Sequence, residues 1–182
     1  MKKTAWIQPP IPVLLVTFLA LSSIASAQHK MQAAAEGNQS KLVQIVRNAT
    51  EQYLDINNAI AAGYGPFLGC VSGSDHGAMG IHYVNPSLLN GTIDATKPQA
   101  LIYEPLSNGQ MKLVGVEFIT LASTWLQTNS GPPVLEGHVF LYVDSPNRYN
   151  TPAFFELHVW AWRDNPTGNF VDWNDRVTCA GQ

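Results

Sequence analysis

Three residues of metal-ligating type stand alone in apolar, strand-like segments. They are His82 in "GAMGIHYVN" (77–85), Glu117 in "KLVGVEFITL" (112–121) and His158 in "AFFELHVWAW" (153–162). Two imidazoles and a carboxylate make up a 2-His-1-carboxylate set, which holds a divalent ion and leaves positions open to water or substrate. Copper, zinc, manganese and iron are all compatible with those donors. Burying a carboxylate without a partner is costly, so Glu117 must be paired, coordinated or protonated, unless its side of the strand faces solvent. Along "AFFELHVWAW", Phe155, Leu157, Val159 and Ala161 alternate onto one face and Phe154, Glu156, His158, Trp160 and Trp162 onto the other. A face that sets a histidine among such aromatics reads as the lining of a pocket or barrel interior. His138 in "LEGHVF" and His76, six residues before His82, are candidate fourth ligands, and His138 is preferred. The competing reading of His82 and His158 is a hydrogen-bonded structural histidine, and that of His138 and His76 a surface one.

Catalysis, if it occurs, is of oxidative or hydrolytic type on a small-molecule or saccharide substrate. The chain has no Ser-His-Asp pattern, no nucleophile elbow, no HExxH and no phosphate-cradling GxxxxGK[ST]. A second function class competes, a binding module without catalysis in which Trp125, Trp160, Trp162 and Trp173 stack on a carbohydrate or other small ligand.

The elements that must carry these residues are legible in part. From Ser40 to Ala62 the apolar positions Leu42, Ile45, Val46, Ala49, Tyr53, Ile56 and Ile60 recur at three- and four-residue steps, with Ser40 as N-cap and Gly63 as stop. This spacing predicts one amphipathic helix whose solvated face carries Lys41, Gln44, Arg47, Glu51 and Asp55. Beyond "GYGPFLGC" short apolar runs alternate with Gly, Pro and Asn clusters, which predicts strands near 80–85, 100–104, 111–121, 137–143 and 153–162 and an extended tail from Asn165. In "LIYEPLSNGQMKLVGVEF", Asn108-Gly109 suits a two-residue type I′ turn. That turn sets Glu117 opposite Ala100 and Glu104 opposite Leu113, with both glutamates on one face and Tyr103, Val114, Val116 and Phe118 on the other. The glutamates would then lie about 13 Å apart along the sheet, too far to share a small site. The fold class is α+β, a helix packed on a mainly antiparallel β-barrel or sandwich.

Lys2 and Lys3 precede an apolar run from Ile11 to Ile24 that closes on Ala25-Ser26-Ala27, the pattern of a secretory signal peptide. Residues 1–27 are expected to be removed, leaving 28–182 as a single domain that is secreted or periplasmic, with no membrane anchor; His29 then sits at the new N-terminus. The net charge of −3 becomes −5 without Lys2 and Lys3, and no basic stripe suits nucleic acid. Two cysteines in an exported chain are expected to pair, giving a Cys70–Cys179 disulfide.

The segments "ATEQYLDINNAIAAGY", "GAMGIHYVNPSLL", "LIYEPLSNGQMKLVGVEF" and "ELHVWAWRDNPTGNFVDWNDRVTC" together resemble a family of small exported bacterial proteins usually labelled hypothetical. The likeness runs over roughly residues 42–179. Its pattern is an A-T-x-x-Y-x-D helix, G-A-M-G-x-H-Y-V-N, a Y-E-P…L-V-G-V-E hairpin and a terminal L-H-x-W-x-W…N-P-x-G-x-F…D-W-N…C. The family's two strand histidines and hairpin glutamate fall on His82, His158 and Glu117. The chain departs from the pattern at Asn169, where a methionine is usual, and at Asn174-Asp175, where Asn-Pro is usual. The resemblance implies an exported domain and names no activity.

Overall fold

The structure, a computed structural model, describes residues 40–182. The signal-peptide reading, His29 and the expected boundary at residue 28 lie outside the described residues. A six-stranded antiparallel sheet dominates, formed by β1 (Gly65–Ser72), β2 (Ala78–Val84), β3 (Ala100–Pro105), β4 (Met111–Leu121), β7 (Leu141–Val143) and β8 (Phe154–Val159). Its order is β1-β2-β3-β4-β8-β7, so it stays open at both edges and curls into a half-barrel. A separate two-stranded ribbon pairs β5 (Val134–Leu135) with β6 (His138–Val139). The expected strand at 137–143 is therefore divided between two sheets. β1 has no counterpart among the expected strands, because "GPFLGCVS" holds two glycines and a proline in eight residues.

The single helix expected over 40–62 is three pieces: α1 (Lys41–Thr50), a 3-10 turn (Glu51–Leu54) and α2 (Ile56–Ala61). Asp55 makes the break, since its extended backbone ends the 3-10 turn and its side chain caps α2 by accepting from the Asn57 N–H. Ser40 caps α1 with its backbone carbonyl alone, which accepts from the Gln44 N–H. Gly63 ends the segment at φ +92°. Leu42, Val43 and Val46 of α1 are fully buried against the sheet, whereas Ile60 is exposed. Arg47, expected to be merely solvated, donates from Nε to the Ala161 carbonyl.

The helix-covered face of the sheet is an apolar core that includes Leu101, Tyr103, Val116, Phe118, Leu157 and Val159. Alternation places the residues between them on the opposite, concave face. The β3–β4 hairpin reaches the expected pairing of Ala100 with Glu117 by an unexpected route. Its turn is a three-residue loop in which the Gly109 N–H donates to the Leu106 carbonyl and only Gly109 has positive φ. Glu104 consequently lies opposite Lys112 and not Leu113, and a bulge near Val114 restores the register beyond it. The bulge also moves Val114 to the opposite face, where it packs with Ile102 and Trp160. Glu104 and Glu117 do share a face, and Glu104 is used by the tail, accepting from the Thr178 N–H.

The tail after Asn165 holds no named strand and folds back over the sheet. Asn174 bridges Ala78, and Cys179 is bonded to Cys70, with Cα atoms 5.6 Å apart. Closing a loop across 109 residues contributes about 4–5 kcal/mol in the chain-entropy account. Gly77 and Gly80 let backbones meet here: a Cβ on Gly80 would stand 2.7 Å from the Tyr103 carbonyl, and one on Gly77 2.2 Å from that of Asn174. Among the described residues, no helix is long and apolar enough to cross a membrane.

Candidate metal centre

His82, Glu117 and His158 come from β2, β4 and β8 and project from the concave face. Glu117 and His158 are direct cross-strand partners, while His82 is three strand spacings from His158, about 14 Å in a flat sheet. Their Nε2 atoms nevertheless approach to 3.4 Å, because the sheet curls and both imidazoles lean inward. β3 leaves room for this, since the residue it sets against Glu117 is Ala100. The Glu117 Oε2 lies 3.2 Å from the His82 Nε2. All three side chains are buried, and one ligand atom from each falls within a common 4.8 Å.

Those separations can be set against the chemistry of an ion. Tetrahedral ligands at about 2.05 Å from a zinc-like ion stand roughly 3.3 Å from one another. The 3.2 and 3.4 Å contacts match that edge. Two N donors and one O donor suit zinc, manganese, iron or copper and leave the pocket side of the site open.

The surroundings keep both imidazoles neutral, as ligands must be. Burial lowers the pKa of His82 to about 4, and burial followed by repulsion from His82 holds His158 well below the usual histidine range. Burial, then the neighbouring Glu156 carboxylate, raises Glu117 well above the carboxylate range. Glu156 is raised chiefly by burial too, and the two carboxyl groups share a hydrogen bond. A divalent charge is what would reverse this, by favouring ionised Glu117.

Apart from these contacts, His158 Nδ1 is buried with no hydrogen-bond partner, and it points at the Asp172 Oδ1 3.6 Å away. Ligating histidines characteristically present their second nitrogen to a carboxylate in this way. Glu156, His158 and Asp172 form a second grouping of ligand-type atoms, sharing His158 with the first.

Sequence reasoning missed Glu156 and Asp172. Glu156 was within reach, since it shares the His158 face two residues earlier. Asp172 lies in the tail, where only the "DWN" motif marked it. His138, the expected fourth ligand, is not gathered with the others: it stacks on Phe170 at 3.7 Å and its Nε2 faces the Ser40 hydroxyl. The β6 strand that carries it belongs to the small ribbon, so it never reaches the concave face. His76 is exposed in the β1–β2 connection.

The four tryptophans form no common face. Trp160 is buried and donates to the Val171 carbonyl, Trp125 donates to the Gly131 carbonyl, and Trp173 lies under the Arg148 guanidinium. Trp162 crosses to the helix side, where its indole donates to the Thr50 hydroxyl, because strand alternation ends at Val159. A cavity of about 560 Å³ opens over His82, Glu117 and His158, and none of these indoles lines it.

Comparison with family models, with curated proteins and with solved structures finds no match.

Proposed function

We propose that this chain is an exported protein with a mononuclear metal site, in which His82, Glu117 and His158 hold a divalent ion at the floor of the cavity. The approach of His82 Nε2 to both His158 Nε2 and Glu117 Oε2, at 3.4 and 3.2 Å among buried and uncharged imidazoles, carries the reading. At 3.4 Å one neutral imidazole can donate to the other and engage a single lone pair, whereas an ion between them engages both nitrogen lone pairs. The open side of the site favours an enzyme over a purely structural site, with hydrolytic or oxidative chemistry. When bound, such an ion supplies a Lewis acid for water or a substrate oxygen or, if redox-active, a partner for dioxygen.

The chain's own residues supply the rest. Asp172 faces His158 Nδ1 at 3.6 Å, placed to orient the imidazole once the two close to hydrogen-bond distance, and Glu156 stands against Glu117 as a proton-holding carboxyl at the cavity floor. The apolar walls limit water around them. Export is supported by the disulfide, which persists in oxidising compartments.

Elemental analysis of the purified protein, with thermal unfolding in Zn²⁺, Cu²⁺, Mn²⁺ and Fe²⁺, tests the proposal. One equivalent of metal and a rise in Tm with one of these ions are expected. No stoichiometric metal and no shift with any of them would sink it.

A further inference from the structure

The cavity is larger than a bare ion site needs, and its walls are chemically one-sided. Val71, Met79, Val84, Leu89, Ile119 and Leu121 enclose it above the floor. Its mouth is lined by Ile60, Phe67 and Leu68, which stand 53%, 40% and 52% exposed. The few polar groups among the walls already have partners. The Tyr64 hydroxyl donates to the Pro98 carbonyl, the Thr151 hydroxyl to Asn147 Oδ1, and the Tyr149 hydroxyl lies against the Met79 sulfur. A saccharide entering here would leave hydroxyl after hydroxyl without a partner. An apolar body would instead cover both the walls and the exposed rim.

The floor selects the other end of the molecule. Among the described residues, no lysine or arginine lines the cavity, while Glu117 and Glu156 do, and Asp172 stands behind His158. With Glu156 holding its proton, Glu117 and Asp172 alone match the two positive charges of a divalent ion and leave no surplus to attract an anion.

We infer that the cavity binds a mainly apolar molecule with one neutral oxygen function, of the long-chain alcohol or aldehyde class, whose oxygen reaches the His82–Glu117–His158 floor. The placement of the oxygen rests on the metal reading; the apolar class of the body does not.

The test uses the full chain, stripped of metal, with the neutral fluorophore N-phenyl-1-naphthylamine as probe. The probe binds one per chain, and 1-dodecanol displaces it at about one-tenth the concentration that dodecanoate needs, while maltohexaose does not displace it. Leu121→Gln on the wall weakens 1-dodecanol about tenfold, and Phe67→Gln at the exposed rim weakens it about threefold. Absence of probe binding, displacement by dodecanoate or maltohexaose at equal or lower concentration, or wild-type affinity in both variants would overturn the inference. Elemental analysis of the same protein after the stripped chain is reloaded with Zn²⁺, Cu²⁺, Mn²⁺ or Fe²⁺ and dialysed separates the two readings. Metal without apolar binding sinks only this inference, whereas apolar binding in a protein that takes up no metal sinks the metal site and the placement of the oxygen.

Discussion

Phe118 and Glu117 are neighbours on β4, yet they belong to differently built regions. Phe118 faces the helix side, in one apolar cluster with Leu42, Val43, Leu101, Leu157 and Val159. Glu117 faces the concave side, where burial brings two imidazoles and a second carboxyl together and, among the described residues, no lysine or arginine joins them. One face of the sheet collects stability; the other keeps groups in states that folding alone does not favour. The same strands serve both because alternation decouples the two sets of residues.

The comparison breaks most sharply at Phe118. Phe118→Ala should cost about 3–5 kcal/mol of unfolding free energy, measured by denaturant titration, since the cavity it leaves is fully enclosed. A loss below about 1 kcal/mol would mean that the helix side is not the stabilising core. Next in size is the response to metal. At a hundredfold excess over Kd a bound divalent ion should add about 2.7 kcal/mol, and His82→Ala and His158→Ala should abolish that gain. Glu117→Leu sharpens the contrast by its sign. In metal-free protein it should raise stability by about 1–2 kcal/mol, because it removes a buried carboxyl with no countercharge, and it should eliminate the metal response. A destabilisation like that of Phe118→Ala would show Glu117 to be an ordinary structural residue. The smallest effect is expected at His138, where His138→Ala should change stability by under about 1 kcal/mol and leave the metal response intact.

Residue type and alternation made much of this legible. The isolated polar residues in three apolar runs marked the floor of the site, and the period-2 pattern of "FFELHV" assigned both faces of β8 correctly. The Cys70–Cys179 bond followed from there being two cysteines. What alternation could not convey was departure from it. The three-residue turn at Gly109 and the bulge at Val114 each shift the register by one and offset one another, so the Ala100–Glu117 pairing came out as expected while Glu104 and Val114 did not. β1 was hidden because Leu68, Gly69 and Cys70 bulge out of register and Leu68 takes φ +59°. The convergence of His82 on His158 depends on sheet curvature, which no local pattern encodes, and Asp172 arrives from a tail without periodicity.

The central claim is that His82, Glu117 and His158 form one metal site. Titrating the metal-free protein with Co²⁺ while following visible absorption tests it most directly, because the ligand-field bands report donor type and number. The expected result is a spectrum of mixed nitrogen and oxygen coordination that saturates at one equivalent, is absent in folded His82→Ala and Glu117→Gln proteins, and is unchanged in His138→Ala. A titration that never develops such bands, or bands that survive in both His82→Ala and Glu117→Gln, would contradict it.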